Sequence, residues 1–378
     1  MTTVYLDNSA TTRVSEKAAQ KAVDMMTRNF GNPSSVYSLG LFAEQEIKSA
    51  RKTLAGKLGC GEEEIIFTSC GTEANNLAVF GAAEAGKKAG KKIITTAVEH
   101  PSVLNAAKEL ENRGFEVVFL PVYEDGRIKI RDLERELDGS VILVSIMLVN
   151  NETGAIMPVK EAVGLTRKKS ENALFHCDMV QAFGKTAETV RKLGVDLASV
   201  SGHKVHAPKG VGALYVKKGV NIKPVLYGGG QEKGLRSGTE NAPAIAAFGV
   251  AVGELPDCEK ALGSIGRLNS IVRTGLEKID ALTFNSPADG SPYIINFSIP
   301  KIPSEVMIHF LEDCGIFVSG GSACSKGRRS HTLSAQGLSP EIIDSAVRVS
   351  FSADSTEAEA EALVEWVQRA AKSLRRRK

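Results

Sequence analysis

The stretch "SVSGHKVHAPKGVGALYV", residues 199–216, joins two short apolar strand patterns through a glycine-rich turn that carries Lys204. A lysine held between strands among small polar residues is suited to form an imine, because burial or a neighbouring cation lowers its pKa. Ser201 and His203 flank Lys204 and are suited to bind a phosphate, so we expect Lys204 to be the reactive amine. The same turn holds two rival candidates, His206 and Lys209.

Before this stretch the chain alternates apolar strand patterns with amphipathic helix patterns. The strand patterns include "EIIFTS" (64–69), "KKIITTA" (91–97) and "SVILVSIML" (140–148), and a helix pattern follows each of them. Such alternation indicates βαβ units and a largely parallel sheet that is buried on both faces. We therefore predict an α/β fold.

The pattern changes near residues 250–260. A long helix pattern at about 258–281 precedes the strand pattern "YIINFSI" (293–299), and a Glu/Ala-rich helix pattern begins near Ser355. A chain of 378 residues is long enough for two packed regions. We predict an N-terminal arm (1–14) that joins the small domain, a large domain (15–255) and a small α+β domain (256–378).

Composition and charge exclude several classes of protein. The chain is 43% hydrophobic and 24% charged, and its net charge of +3 implies neither a nucleic-acid nor a membrane partner. It has no apolar run long enough to span a bilayer and no signal-peptide pattern. Its six cysteines lack paired or metal-binding spacing, which favours free thiols and no metal. We expect a cytoplasmic protein.

Polar residues directly after the strands are the first candidates for a ligand site, because ligands bind beyond the carboxyl ends of strands in open α/β sheets. Gly71 and Thr72 follow the first strand pattern and begin a helix pattern, which suits a phosphate, although an ordinary N-cap explains them equally well. His100 follows the second strand pattern, where a structural histidine is the plain alternative. Asn151 follows the third, where turn formation is the alternative.

Asp178 ends the strand pattern of "ALFHCDMVQAFG" (173–184), with Gln181 three residues later. A carboxylate at the end of a buried strand needs a cationic partner, unless it merely caps a helix. The protonated ring nitrogen of pyridoxal phosphate is such a partner, and its pairing with an aspartate makes the ring an electron sink.

Three further candidates lie towards the C-terminus. Thr239 belongs to the glycine-dense "YGGGQEKGLRSGTEN" (227–241), which is either a surface hairpin or an anion-binding nest. Arg348 lies in a strand pattern, where it either reaches solvent or binds a carboxylate. Cys324 lies in "SGGSACSKGRRSH" (319–331), whose composition predicts an exposed loop.

Together these candidates supply what a pyridoxal-phosphate enzyme with a nucleophilic cysteine needs when it acts on an amino acid. Over almost its whole length the sequence also resembles the cysteine desulfurases of the NifS/IscS type, in the class V aminotransferase group. The matching segments, in order, are "YLDNSATT", "GNPSS", "GTEANNLA", "EHPSV", "VNNETG", "SGHKVHAPKGVGALYV", "GGGQEKGLRSGTEN", "GSAC" and "VRVSF".

The resemblance implies a fold-type I enzyme, with a mainly parallel seven-stranded sheet, a smaller C-terminal domain and a homodimer. It also implies that Lys204 binds pyridoxal 5'-phosphate and that His100 stacks on its ring. The remaining roles implied are as follows. Asp178 pairs with the ring nitrogen, and Asn151 and Gln181 bond the phenolic-oxygen side. Gly71, Thr72, Ser201 and His203 form the phosphate site with Thr239 of the partner subunit. Arg348 and Asn151 bind the substrate, with Arg348 taking its carboxylate.

The activity that the resemblance implies is conversion of L-cysteine to L-alanine, with a persulfide formed on Cys324. The sulfur would pass to an acceptor protein for iron–sulfur cluster assembly or for thiolation of tRNA or a cofactor. The segment "CSKGRRSHTL" (324–333) is shorter than the IscS-type loop, and the C-terminal tail is short and basic. The alternatives are a selenocysteine lyase, another β-elimination or transaminase activity, and a non-catalytic sulfur-transfer scaffold.

Overall fold

The computed structural model describes residues 3–320 and 329–374. Its strands are β1 (Val4–Tyr5), β2 (Ile65–Thr68), β3 (Lys92–Thr96), β4 (Glu116–Leu120), β5 (Val141–Ser145), β6 (Leu174–Asp178), β7 (Leu197–Ser201), β8 (Gly212–Val216), β9 (Thr283–Phe284), β10 (Ile294–Ser298), β11 (Ile316–Phe317), β12 (Ser319–Gly320) and β13 (Ala346–Ser350).

The helices alternate with the strands through the first two thirds of the chain. They are α1 (Glu16–Thr27), α2 (Ser38–Leu58), α3 (Gly71–Gly86), α4 (Pro101–Asn112), α5 (Ile130–Glu136), α6 (Val159–Lys169), α7 (Val190–Leu193), α8 (Ala242–Glu254), α9 (Cys258–Leu276), α10 (Ser304–Asp313), α11 (His331–Ala335), α12 (Pro340–Asp344) and α13 (Glu357–Leu374).

The central sheet has seven strands in the order β2-β8-β7-β6-β5-β3-β4. Neighbouring strands from β7 to β4 run parallel, whereas β8 runs antiparallel to both β2 and β7. Strands β2, β3, β5, β6, β7 and β8 are buried along almost their whole length, as continuous apolar runs covered by helices on both faces require. The predicted α/β fold with a mainly parallel seven-stranded sheet is confirmed.

A second sheet lies later in the chain, in the antiparallel order β12-β13-β10-β9. The N-terminal strand β1 pairs in parallel with β11, and Asp7 forms an isolated bridge with Ser350. The sequence pattern "IFVSG" is split between two strands: Phe317 pairs with Tyr5, and Ser319 pairs with Arg348. The N-terminal residues therefore pack against elements more than 300 positions away. The domain boundaries near residues 14 and 255 stay a prediction.

Helix α9 is shorter than its sequence pattern, because it ends at Leu276 and the chain then turns through Ala281 at φ +60°. In the part of the chain that the structure describes, no helix is both long and apolar enough to cross a bilayer.

Candidate active site

A cavity of about 290 Å³ opens where β2, β3, β5, β6 and β7 end. This is the edge at which an open α/β sheet binds ligands. Most of the residues predicted from the sequence to form the site line this cavity: Gly71, Thr72, His100, Asn151, Asp178, Gln181, Ser201, His203, Lys204 and Arg348.

One described site residue, Thr239, is not among the residues that line this cavity. Thr239 is exposed and lines a different cavity, together with Met26, Phe30 and Pro33. Cys324 lies outside the described residues.

Asp178 ends β6, and hydrogen bonds hold both of its carboxylate oxygens. Asn75 Nδ2 donates to Oδ2 over 2.7 Å, and the backbone N–H of Val180 donates to Oδ1 over 2.9 Å. Asn75 also donates to Ser102 Oγ, which ties α3 to the start of α4. These hydrogen bonds orient the Asp178 side chain, which is only 5% exposed. Its carboxylate can therefore accept a hydrogen bond from a protonated ring nitrogen without rearranging.

The start of α3 is suited to bind an anion. Cys70, the N-cap, makes no side-chain capping bond, and the first amide groups of any helix lack intrahelical acceptors. Ser201 Oγ is buried there, and no described residue is its hydrogen-bond partner. A Cβ atom on Gly71 would lie 2.9 Å from Val180 Cγ2 and 3.3 Å from Ser201 Cβ, so glycine lets the start of α3 pack closely against Ser201. This site fits a phosphate.

Lys204 ends the short 3-10 turn that follows β7, and its amine reaches the N-terminal arm. Nζ donates to the backbone carbonyl of Ser9 over 2.6 Å and to that of Ala10 over 2.7 Å. The arm therefore forms one wall of the cavity and holds the lysine side chain within it.

Two histidines of the site are biased towards their neutral forms. Burial lowers the pKa of His100, whose Nδ1 accepts the backbone N–H of Ser102 over 3.1 Å. Burial, with Lys204 nearby, lowers the pKa of His203 to about 4. A neutral imidazole can stack on an aromatic ring or exchange hydrogen bonds without adding charge to the site.

Arg348 lies in the middle of β13 and is only 2% exposed. Its Nη1 donates to the carbonyl of Asn151 over 2.9 Å, and its Nη2 donates to Asp7 Oδ1 over 2.8 Å. Its Nε is buried without a hydrogen-bond partner among the described residues. Burial raises the pKa of Asp7 even though Arg348 opposes that shift. A buried guanidinium with an unused donor is suited to bind a carboxylate.

Two residues just after position 328 form hydrogen bonds with residues at or next to the same cavity. Ser330 Oγ donates to Glu152 Oε2 over 2.5 Å, and His331 Nε2 donates to the carbonyl of Glu99 over 2.9 Å. Burial raises the pKa of Glu152 to about 7. Ser319, on the other side of the undescribed segment, pairs with Arg348.

Sequence reasoning missed several residues of the site: Asp7, the carbonyls of Ser9 and Ala10, Asn75, Glu152 and His331. Asp7, Ser9 and Ala10 stand in "YLDNSATT", Asn75 in "GTEANN" and Glu152 in "VNNETG". Those three segments are among the ones that match the family, so the sequence marks these regions as important. It does not reveal the contacts that these residues make.

Comparison with known proteins agrees with this geometry. A family model described as aminotransferase class-V matches residues 4–363. The chain belongs to the class-V aminotransferase family. Its similarity to the cysteine desulfurases of this family extends over nearly the whole chain. It is 40% identical to a cysteine desulfurase of Nostoc sp., covering 99% of this chain and 94% of that protein.

Two further comparisons agree. This chain is 41% identical to a cysteine desulfurase IscS of Methanosarcina thermophila, and the match covers 98% of this chain and 93% of that protein. A solved structure of a NifS-like protein superposes with a TM-score of 0.91 at 37% identity, covering 98% of this chain and all of that chain.

The enzyme is pyridoxal-phosphate-dependent, like its class-V relatives, and the cavity fits this cofactor. Ser201 Oγ, buried and without a hydrogen-bond partner among the described residues, fits the phosphate, while the oriented Asp178 fits the ring nitrogen. The amine of Lys204, which lines the same cavity, is of the kind that can bind the cofactor's aldehyde. No group of His, Cys, Asp or Glu within residues 3–320 and 329–374 is arranged to hold a metal ion.

Proposed function

We propose that this cysteine desulfurase converts L-cysteine to L-alanine by forming a persulfide on Cys324. The observation that carries the proposal is that Arg348, Lys204 and the oriented Asp178 share one cavity. An enzyme acting at the α-carbon of an amino acid needs a carboxylate binder, an amine that moves a proton and a partner for the cofactor ring.

Three residues of the cavity have defined tasks in this reaction. Arg348 binds the substrate carboxylate and so fixes the α-carbon beside Lys204. Pyridoxal phosphate, when bound, supplies an electron sink next to that carbon. Asp178 holds the ring nitrogen, and the Lys204 amine takes the α-proton and returns it.

Cys324 accepts the sulfur. Its thiolate attacks the substrate sulfur, so that a sulfur–sulfur bond forms while the carbon–sulfur bond of the substrate breaks. The sum is L-cysteine plus a thiol giving L-alanine plus a persulfide, which balances without an external oxidant or reductant. The flanking residues support this role, because Ser319 pairs with Arg348 and His331 lines the cavity.

The test compares the purified protein with its Cys324→Ser variant, and Cys314→Ser is the matched control. Cys314 is a free thiol at the end of α10 and does not line the cavity. We expect wild type and Cys314→Ser to release alanine and, with a reductant, sulfide from L-cysteine. Cys324→Ser should lose this activity and keep the visible absorbance of the bound cofactor.

Full turnover by Cys324→Ser would reject the proposal and would favour a selenocysteine lyase or another β-elimination or transaminase activity. A wild-type protein that takes up no cofactor would instead favour a non-catalytic sulfur-transfer scaffold.

We further propose that the persulfide sulfur goes to an acceptor protein in the cytoplasm, for iron–sulfur cluster assembly or for thiolation of tRNA or a cofactor. The cysteines that the structure describes are all free, as a reducing compartment favours. Capture of the persulfidated enzyme's partners after exposure to L-cysteine would identify the acceptor.

We also propose a homodimer in which Thr239 of the partner subunit completes the phosphate site. The support is a set of exposed large apolar side chains, among them Met26, Phe30, Tyr37 and Tyr227, of which Met26 and Phe30 line one cavity. Exposed apolar surface of this kind usually marks a protein interface. Thr239 and Phe30 line the same cavity, so Phe30 and the glycine-dense loop are neighbours.

The proposed arm (1–14), large domain (15–255) and small domain (256–378) follow the two sheets. Strand β1 pairs with β11, and Asp7 contacts Arg348 from the second sheet. The arm would therefore link the substrate-binding arginine to the wall that holds Lys204.

A further inference from the structure

Lys185 is a buried lysine that has no part in the mechanism above. It lies in the turn region after β6 and is only 7% exposed. Its Nζ is 3.4 Å from Gln181 Oε1, to which it donates, and 5.8 Å from the centroid of the Tyr293 ring. No carboxylate within the described ranges forms a salt bridge with it. A buried ammonium without an anion is costly, so this side chain needs an explanation.

Lys185 lies close to Lys204, because both line one small cavity. A buried lysine can simply fill space with its apolar stem. That explanation does not account for a second amine beside the amine that the reaction uses.

A chain of hydrogen bonds connects the two lysines. Lys185 donates to Gln181 Oε1, and Gln181 Nε2 donates to the carbonyl of Ser9 over 3.0 Å. The same carbonyl accepts Lys204 Nζ over 2.6 Å. Lys185 occupies Gln181 Oε1, and one hydrogen of Gln181 Nε2 bonds to Ser9. The second hydrogen of Nε2 remains as a donor for an oxygen in the main cavity.

The two amines also repel each other when both carry a proton. Burial lowers the pKa of Lys185 to about 7, and the charges of Lys204 and Arg348 act in the same direction. Such an interaction is mutual, so a charged Lys185 lowers the pKa of Lys204 as well. The other titratable or charged groups around the pair are Asp7, His100, Asp178, His203, His206, Tyr293 and Arg348.

We propose that Lys185 is a positioning residue that orients the Gln181 amide and favours the uncharged amine of Lys204. It acts through these two residues and does not touch the substrate. The proposal rests on Lys204 being the reactive amine of the proposed function.

The first test uses the full-length, cofactor-free protein and needs no substrate. The rate at which acetic anhydride labels Lys204 is followed against pH by peptide mass spectrometry, in wild type, Lys185→Met and Lys185→Gln. Lys192→Met, a change at an exposed lysine, is the matched control. We expect both Lys185 variants to label Lys204 several-fold more slowly than wild type at and below about pH 7, where Lys185 carries its charge, and the curves to converge at higher pH.

The second test separates the hydrogen bond from the charge through the affinity for pyridoxal phosphate. Lys185→Gln keeps a donor for Gln181, so it should bind the cofactor within about threefold of wild type. Lys185→Met loses the donor and should bind several-fold more weakly. Loss of a buried unpaired charge should leave the melting temperature of Lys185→Met equal or higher, which confirms that the variant folds.

A folded Lys185→Met whose Lys204 labelling curve matches that of wild type would overturn the charge part of the proposal. Equal cofactor affinity in Lys185→Met and Lys185→Gln would overturn the orientation part. A wild-type protein that releases no sulfur from L-cysteine would reject the proposed function and leave the labelling result unchanged, so the two failures are distinguishable.

Discussion

Asn75 illustrates how one side chain orients the functional group of another. Its Nδ2 lies 2.7 Å from Asp178 Oδ2 and 2.8 Å from Ser102 Oγ, and the residue is 1% exposed. A hydrogen bond to a charged group contributes about 1.5–3 kcal/mol. Together with the backbone N–H of Val180, Asn75 therefore fixes the orientation in which the Asp178 carboxylate faces a ligand.

Replacement of Asn75 by Ala should raise the dissociation constant for pyridoxal phosphate by about tenfold or more, because Asp178 loses a donor worth at least about 1.5 kcal/mol. Titration of the cofactor-free variant, followed by its visible absorbance, measures this. Asn112→Ala, at the exposed end of α4, is the control. Unchanged affinity in Asn75→Ala would mean that Asp178 does not need this donor.

At the scale of elements, Glu99 joins the ends of two strands. Its Oε1 accepts Thr96 Oγ1 over 3.0 Å and the backbone N–H of Met147 over 2.9 Å, so it connects the end of β3 to the segment after β5. Burial raises its pKa to about 8. The folded protein therefore keeps a proton on Glu99 at pH values where the unfolded chain has lost it.

That raised pKa predicts a pH dependence of stability. The stability that the neutral carboxyl contributes is fully present below about pH 4.5, where a glutamate in the unfolded chain titrates, and falls as pH rises to about 8. Glu99→Gln should remove this loss, so its free energy of unfolding should fall less, or rise more, between pH 5 and pH 8 than that of wild type. The difference in slope should approach about 1.4 kcal/mol per pH unit, for one proton.

Urea unfolding at several pH values measures this slope. Glu111→Gln, a change at an exposed residue of α4, is the control and should follow wild type. If Glu99→Gln also follows wild type, Glu99 is ionised in the folded protein.

The strands and helices were predictable because their signals are local. Helix α2 ends where Gly59 takes φ +74°, and the turn between β7 and β8 follows the glycine pattern around Lys204. The contacts of Asp7 with Arg348 and of Ser9 with Lys204 were not predictable. They join residues 341 and 195 positions apart, and the second uses a backbone carbonyl that carries no sequence signature.

At the scale of the whole molecule, the proposed dimer makes a prediction about assembly. Phe30 is 65% exposed and borders the cavity that Thr239 lines, so an aspartate there would place a charge in the proposed interface. Phe30→Asp should be largely monomeric by analytical ultracentrifugation, and it should retain pyridoxal phosphate less well through dialysis. Val306→Asp, at a 44% exposed position on α10, is the control and should stay dimeric.

A Phe30→Asp protein that stays dimeric and keeps its cofactor would place the interface elsewhere. A wild-type protein that is monomeric yet fully active would show that Thr239 of the partner subunit is not needed.

The central claim is that sulfur moves from L-cysteine to Cys324, and the mass of one peptide tests it most directly. The protein is mixed with L-cysteine without a reductant, alkylated and digested. The account predicts one extra sulfur atom on the peptide that contains Cys324 in wild type, and none on that peptide in Lys204→Ala. Alanine formed by wild type with no extra sulfur on that peptide would contradict it.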